Sequence, residues 1–166
     1  LEKALFLLES RHYDIVSTSV QCFGGSDVLW QVAPRPSLRR ITRANQFSVV
    51  AVFAKAMWEK AGGYHDQGEG KHLVAEDWNL WVRMMALGAR AGNISEALML
   101  YRVHGASLSN QPHVRPWEEQ AEDIRKFNDA YLTRKNYRLS RKRNATIVRV
   151  SDPFLNLAAS FRKEAK

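Results

Sequence analysis

The stretch from Ala75 to Ser109 constrains this chain more than any other. It reads AEDWNLWVRMMALGARAGNISEALMLYRVHGASLS. Trp78, Trp81, Val82 and Met85 fall at i, i+3, i+4 and i+7, a spacing that places them on one face of a helix. Glu76 and Asp77 lie in its first turn, where the positive end of the peptide dipoles favours carboxylates. Gly88 is placed to stop it. After a short polar link, residues 97–104 read as a strand. Met99, Tyr101 and Val103 leave one face, and Leu98, Leu100, Arg102 and His104 the other. Arg102 and His104 thus project from one side at the strand's C-terminal end. In open α/β sheets that is the end where ligands bind.

The flanking sequence continues the alternation of helix and strand. Leu1, Ala4, Leu5 and Leu8 predict an amphipathic helix over 1–10. Residues 13–20 alternate and are β-branched, which predicts a strand. Gly24, Gly25 and two prolines make 21–36 a loop. Arg39, Arg40 and Arg43 fall in a short helix over 37–45, and the apolar run 48–53 predicts a buried strand. A helix over 54–61 is stopped by Gly62 and Gly63. The glycine-rich loop 64–74, directly before the acidic pair, is a candidate lid.

Beyond Ser109, Pro116 can open a helix whose apolar stripe is Trp117, Ala121, Ile124, Phe127 and Tyr131. Acids crowd its start and bases its end, as the dipole prefers. Between Asp129 and Asp152 there are seven Lys or Arg and no acid. Asp152 and Pro153 begin a final short helix. The fold class expected is α/β.

Composition bounds the partners. The chain has 166 residues and a net charge of +8, so anionic partners are open: a nucleotide diphosphate, a membrane surface or nucleic acid. A solubilising surface accounts for the same excess. Residues 134–149 suit either an anionic lipid contact or a solvated helix end. Tyr137 is the single aromatic residue among those bases, so nucleic acid is not expected. A lone cysteine, Cys22, excludes an internal disulfide and fits a reducing compartment. No apolar run reaches the ~18 residues that span a bilayer, and no signal peptide is visible. A cytoplasmic protein with peripheral contact at the membrane is expected. The chain opens inside a helical pattern without Met, so it reads as part of a longer protein.

Several chemistries find no support. There is no phosphate loop. Cys22 has no basic neighbour in sequence to activate it. His65, Glu69 and His72 have irregular spacing within a glycine loop, unlike a zinc site.

Taken together, E-D-W-x-L-W-x-R (76–83), Y-R-V-H (101–104), the Ser that follows and the upstream VFAKAMWEKAGGYHD resemble the C-terminal half of inverting nucleotide-sugar glycosyltransferases of the GT-A type, the large family-two group. The resemblance covers roughly residues 1–109. It implies a partial GT-A fold, a mixed sheet flanked by helices, over 1–110, with a basic helical extension over 111–166. It implies transfer of a sugar from a nucleotide-sugar donor to a glycan or glycolipid acceptor hydroxyl. The family's D-x-D motif and its nucleotide-binding strands precede the position equivalent to Leu1, and this chain contains no D-x-D. It would therefore carry the acceptor side and the base. The alternative is a non-catalytic carbohydrate- or partner-binding remnant.

By resemblance, Asp77 is the catalytic base, and Glu76 orients it or holds a basic residue. Residue chemistry alone favours the other reading, in which the pair complements a helix N-terminus. Gly62 and Gly63, with Tyr64, match the family's turn beside the acceptor. Trp81 either lines the sugar site or fills the core. Arg102 reaches phosphate or pairs with Glu76 or Asp77. His104 is the candidate metal ligand, for a Mg²⁺ or Mn²⁺ ion that only the resemblance implies, or else a turn residue.

Overall fold

The computed structural model describes residues 1–33, 35–65, 75–106 and 116–149, the last four by backbone alone. The strands are β1 (Ile15–Gly24), β2 (Leu29–Trp30), β3 (Ala51–Phe53) and β4 (Ala91–Val103). The helices are α1 (Glu2–Arg11), α2 (Leu38–Ile41), α3 (Lys55–Lys60), α4 (Glu76–Ala86), α5 (Trp117–Phe127) and α6 (Arg134–Arg149). The fold is a small α/β arrangement with a mixed, open sheet flanked by helices.

β1 is the central strand. It pairs antiparallel with β2 and β3 on one edge and parallel with β4 on the other. Ile15 belongs to the main core around α4, whereas Val16 packs with Leu7, Tyr13 and Ile94 under α1. Neighbouring residues of one strand serve opposite layers, as strand pleating requires. The helix stripe expected at Leu1, Ala4, Leu5 and Leu8 is displaced. Leu7 is the buried residue of α1, with Ala4 and Leu8 beside it, while Leu1 is 81% exposed.

α4 is more deeply buried than a one-faced helix. Every side chain from Trp78 to Ala86 is buried, because α2, α3, α5 and α6 close around it. Its stop is the expected one: Gly88 has φ 92°, open to glycine without steric cost.

Three expectations are corrected. The polar link after Gly88 is strand: β4 begins at Ala91, and Ala91, Gly92, Asn93 and Ile94 are buried. Asn93 is tolerated there because its amide donates to the Ala33 and Gln46 carbonyls at 2.8 and 2.7 Å. The 21–36 loop contains the end of β1 and all of β2. The buried strand over 48–53 is a short one, with Val49 and Val50 about half exposed. The reason is local: the Ser48 N–H donates to the Ser17 hydroxyl at 3.0 Å rather than to a ladder carbonyl.

β4 also carries an irregularity. Its register against β1 shifts on either side of Ser19. There the Thr18 hydroxyl donates to the Glu96 carbonyl and accepts the Leu98 N–H. Past that point the alternation is as expected, with Met99, Tyr101 and Val103 half-buried and Leu98, Leu100 and Arg102 exposed.

The basic run is a helix of its own. α5 ends at Phe127, a 3₁₀ turn spans Asp129–Tyr131, and α6 starts at Arg134. Asn128 is the buried joint, donating to Asn79 at 2.7 Å and to the Ile124 carbonyl. Among the described residues no helix is long and apolar enough to cross a membrane. The final helix expected after Asp152 lies outside the described residues. So do most of the glycine-rich loop, with Glu69 and His72, and the Ser at the end of the Y-R-V-H motif.

Candidate functional site

Helix α4 positions the acidic pair. Its N-cap is Ala75, with no side-chain cap, so the first N–H groups of the helix need acceptors. Asp77 supplies one, taking the Trp78 N–H at 2.7 Å. The adjacent indole is fixed by its own donation to the Ile41 carbonyl at 2.6 Å. Asp77 is half-buried, and that burial pushes its carboxyl above the ordinary carboxylate range. The Trp78 N–H opposes the rise, Glu76 adds to it, and a hydrogen bond from the Asn45 side chain again opposes it. A carboxylate whose pKa is raised in this way is a stronger base than a free one.

The Gly62–Gly63 turn comes to the same place. Both glycines have positive φ, 78° and 71°, and a side chain on Gly63 would meet the Trp58 ring at 3.1 Å. Tyr64 follows, about half exposed. Burial, then Asp77, then Glu76 raise its phenol pKa, so the turn carries Tyr64 into the field of both carboxylates.

Arg83 is the residue that sequence reasoning left without a role. It is fully buried. Its guanidinium donates to the Ala61 carbonyl at 3.0 Å, the Asn79 amide oxygen at 3.0 Å and the Gly63 carbonyl at 2.5 Å. Burial lowers its pKa. One side chain of α4 therefore clamps both ends of the turn that presents Tyr64. The legible signal was a cationic residue seven positions after Glu76, inside a helix otherwise given to the core. His65, next in the turn, lies against the Phe127 ring. Burial and then Arg83 lower its pKa.

A hollow of about 330 Å³ adjoins this group. Asn45, which bonds Asp77, is part of its wall, together with Val20, Trp30, Gln31, Gln46 and Ser48. Trp30 is 47% exposed and meets the Tyr101 ring at 5.2 Å. Those rings share a face because Trp30 registers with Val20, and Tyr101 with Cys22, two residues along β1. Trp30 was not among the expected site residues. It lay in a stretch read as loop, where its pairing with β1 could not be seen.

For two site residues the structure selects between the alternatives the sequence left open. Trp81 is fully buried between Phe47 and Phe53, with ring centroids 5.9 and 5.4 Å away. It offers no free face to a sugar. Arg102 makes no hydrogen bond or ion pair with Glu76 or Asp77 among the described residues, and neither it nor His104 is among the groups that act on Asp77. Element lengths account for this. α4 rises about 16 Å, whereas the 13 residues of β4 extend about 43 Å. Arg102 registers with Phe23 near the end of β1, well past the part of the sheet that packs on α4. Gly62, Gly63, Glu76 and Asp77 are brought together, and Arg102 and His104 form a separate, exposed end.

The first group places a half-buried carboxylate near a half-exposed phenol, and its Asn45 partner forms part of the wall of the adjoining hollow. Among the described residues no three of His, Cys, Asp and Glu come together as a metal site. His104 lies at the exposed end of β4, and no step is routed through a metal. In comparisons with known protein families and with curated proteins, the chain matches none.

Proposed function

We propose that this chain carries the acceptor side of an inverting, nucleotide-sugar-dependent glycosyltransferase of GT-A type, with Asp77 as the base. Asp77 takes the proton of an acceptor hydroxyl. The hydroxyl oxygen forms the new bond to the anomeric carbon as the bond from that carbon to the donor's diphosphate breaks, and the nucleoside diphosphate leaves with the electron pair. Tyr64, held by the Arg83 clamp, and Asn45 orient the acceptor. Trp30 offers a half-exposed ring on which a sugar C–H face can pack.

The single observation that carries this reading is the half-buried Asp77 carboxylate, bonded to Asn45 at the wall of a hollow of about 330 Å³ and flanked by the Gly62–Gly63–Tyr64 turn. The resemblance of 76–83 and 101–104 to the family supports it independently. A general base contributes about 10²–10⁴ in rate. Asp77→Asn in the complete protein should lose turnover on that scale while donor affinity stays within about twofold. Turnover near that of the native protein in the Asn variant would place the base elsewhere. Glycan binding without turnover of any nucleotide-sugar would favour the binding remnant.

A further inference from the structure

Two basic segments far apart in sequence face each other across one cavity. α6 contributes Arg134, Arg138 and Arg141 to its lining, and the segment entering α2 contributes Arg35, Arg39 and Arg40. The α6 residues are spaced i, i+4 and i+7 with Tyr137 between them, so they occupy one helical face. The cavity measures about 810 Å³, and among the described residues no carboxylate lines it. Arg43 and Arg125 extend the basic surface past Arg39 and Tyr137 in an adjoining hollow.

The walls beneath the guanidinium groups are built and largely apolar. Pro36, Leu38, Ala91, Tyr137 and Ala145 contribute to them. Asn144 locks α6 to the start of β4, accepting the Ala91 N–H at 3.0 Å and donating to the Ala89 carbonyl at 3.0 Å. Arg40 is fixed by donations to the Ser37 hydroxyl and the Arg35 carbonyl, at 3.3 and 2.7 Å.

Arginines spread over a surface are usually interspersed with acids. Elsewhere on α6 that holds: Arg143 reaches Asp14 at 3.8 Å. Inside the cavity it fails, because none of the six lining arginines pairs with a carboxylate among the described residues. Like charges gathered around one hollow repel, and an anion placed between them removes the repulsion. Guanidinium forks match phosphate oxygens in a bidentate manner. The volume exceeds what a bare phosphate fills and lies within the range of small-molecule sites. The cavity shares no lining residue with the hollow beside Asp77.

We infer that the α2–α6 cavity is a binding site for an organic phosphate, its phosphate oxygens held by Arg35, Arg39, Arg138 and Arg141 and its apolar portion packed against Tyr137 and Leu38. The site does not depend on the transferase reading. The phosphate can arrive as a free metabolite or as a lipid headgroup, and the same arginines serve both.

The test is calorimetric titration of the full chain with inorganic pyrophosphate, paired with flotation on phosphatidylcholine vesicles that contain phosphatidate. The variants are Arg39→Gln with Arg138→Gln, which keeps the side-chain stems, and Lys135→Ala, which removes one charge from α6 outside the lining. Melting curves establish that each is folded. Each lost guanidinium–phosphate contact should weaken binding about tenfold, so the double variant should fall about 100-fold, with Lys135→Ala within about twofold. Saturable pyrophosphate binding with that pattern supports a free phosphate. Flotation on phosphatidate alone, with the same pattern, supports a headgroup. The proposal is overturned if neither probe binds, or if Lys135→Ala loses as much as the double variant. It is equally overturned if phosphatidylserine vesicles serve as well as phosphatidate, or if duplex DNA binds and pyrophosphate does not compete.

Discussion

Asp77 and Arg83 are two charged side chains of one helix that burial drives in the same sense, toward neutrality, with different consequences. The folded-state pKa of Asp77 is raised. Its contribution to stability is therefore full below the unfolded value, about 3.9, and is lost as pH rises through the higher folded value. Asp77→Asn should accordingly raise the melting temperature at neutral pH, and the advantage should disappear as the solution is acidified through the carboxylate range. A melting-temperature difference that does not change with pH would show that ionisation of Asp77 is not opposed by the fold. Arg83 cannot shed its charge, so it is compensated by three acceptors. Arg83→Lys keeps the charge but loses the fork that reaches all three. We expect a loss of about 2–4 kcal/mol in denaturant unfolding, and a shift in the Tyr64 phenol titration as the turn loosens. Gly92 tests packing alone. A methyl there would stand 2.6 Å from the buried Tyr13 ring, so Gly92→Ala should destabilise by about 1–3 kcal/mol, read from the same unfolding curves. None of these three contacts is visible in sequence, since each joins residues whose proximity depends on the folded chain.

At the scale of elements, the period of the apolar residues was the reliable guide. It located α4, its stop at Gly88 and the alternating half of β4. It failed where side chains substituted for the ladder. β3 is short because the Ser17 hydroxyl takes the Ser48 N–H. The first half of β4 looked polar because Asn93 is buried with two carbonyl acceptors. At α6 the run of bases suited a solvated helix end or a lipid contact, whereas the folded chain makes it a separate helix whose basic face lines the cavity against α2. The join between α6 and β4 rests on Asn144. Asn144→Ala should cost about 1–2 kcal/mol and speed exchange of the Ala91 amide, measurable by hydrogen exchange. Unchanged protection at Ala91 would mean that packing alone holds the helix in place.

The whole molecule carries a net charge of +8, and six of its arginines line one cavity. Opposed guanidinium groups repel over a Debye length of about 8 Å at physiological salt, and over longer distances as salt is removed. The melting temperature should therefore rise as sodium chloride is added from low ionic strength. The Arg39→Gln, Arg138→Gln variant should start higher and respond less. Thermal scans of both proteins across a salt series check this, and equal slopes would mean that the cavity arginines are already fully screened by solvent.

Sequence by itself determined the alternation of helix and strand, the ends of α4 and the presence of Glu76 and Asp77 in one helical turn. These follow from spacing within a single element, and an element's own geometry enforces them. Tertiary structure decided which distant groups meet. It brought the Gly62–Gly63–Tyr64 turn and Asn45 to Asp77, sealed Trp81 between two phenylalanines, left Arg102 and His104 at the far tip of β4, and turned the bases of α2 and α6 toward one another. Those outcomes depend on how long β4 runs past α4 and on which helix covers which face, quantities set by packing among all the elements together.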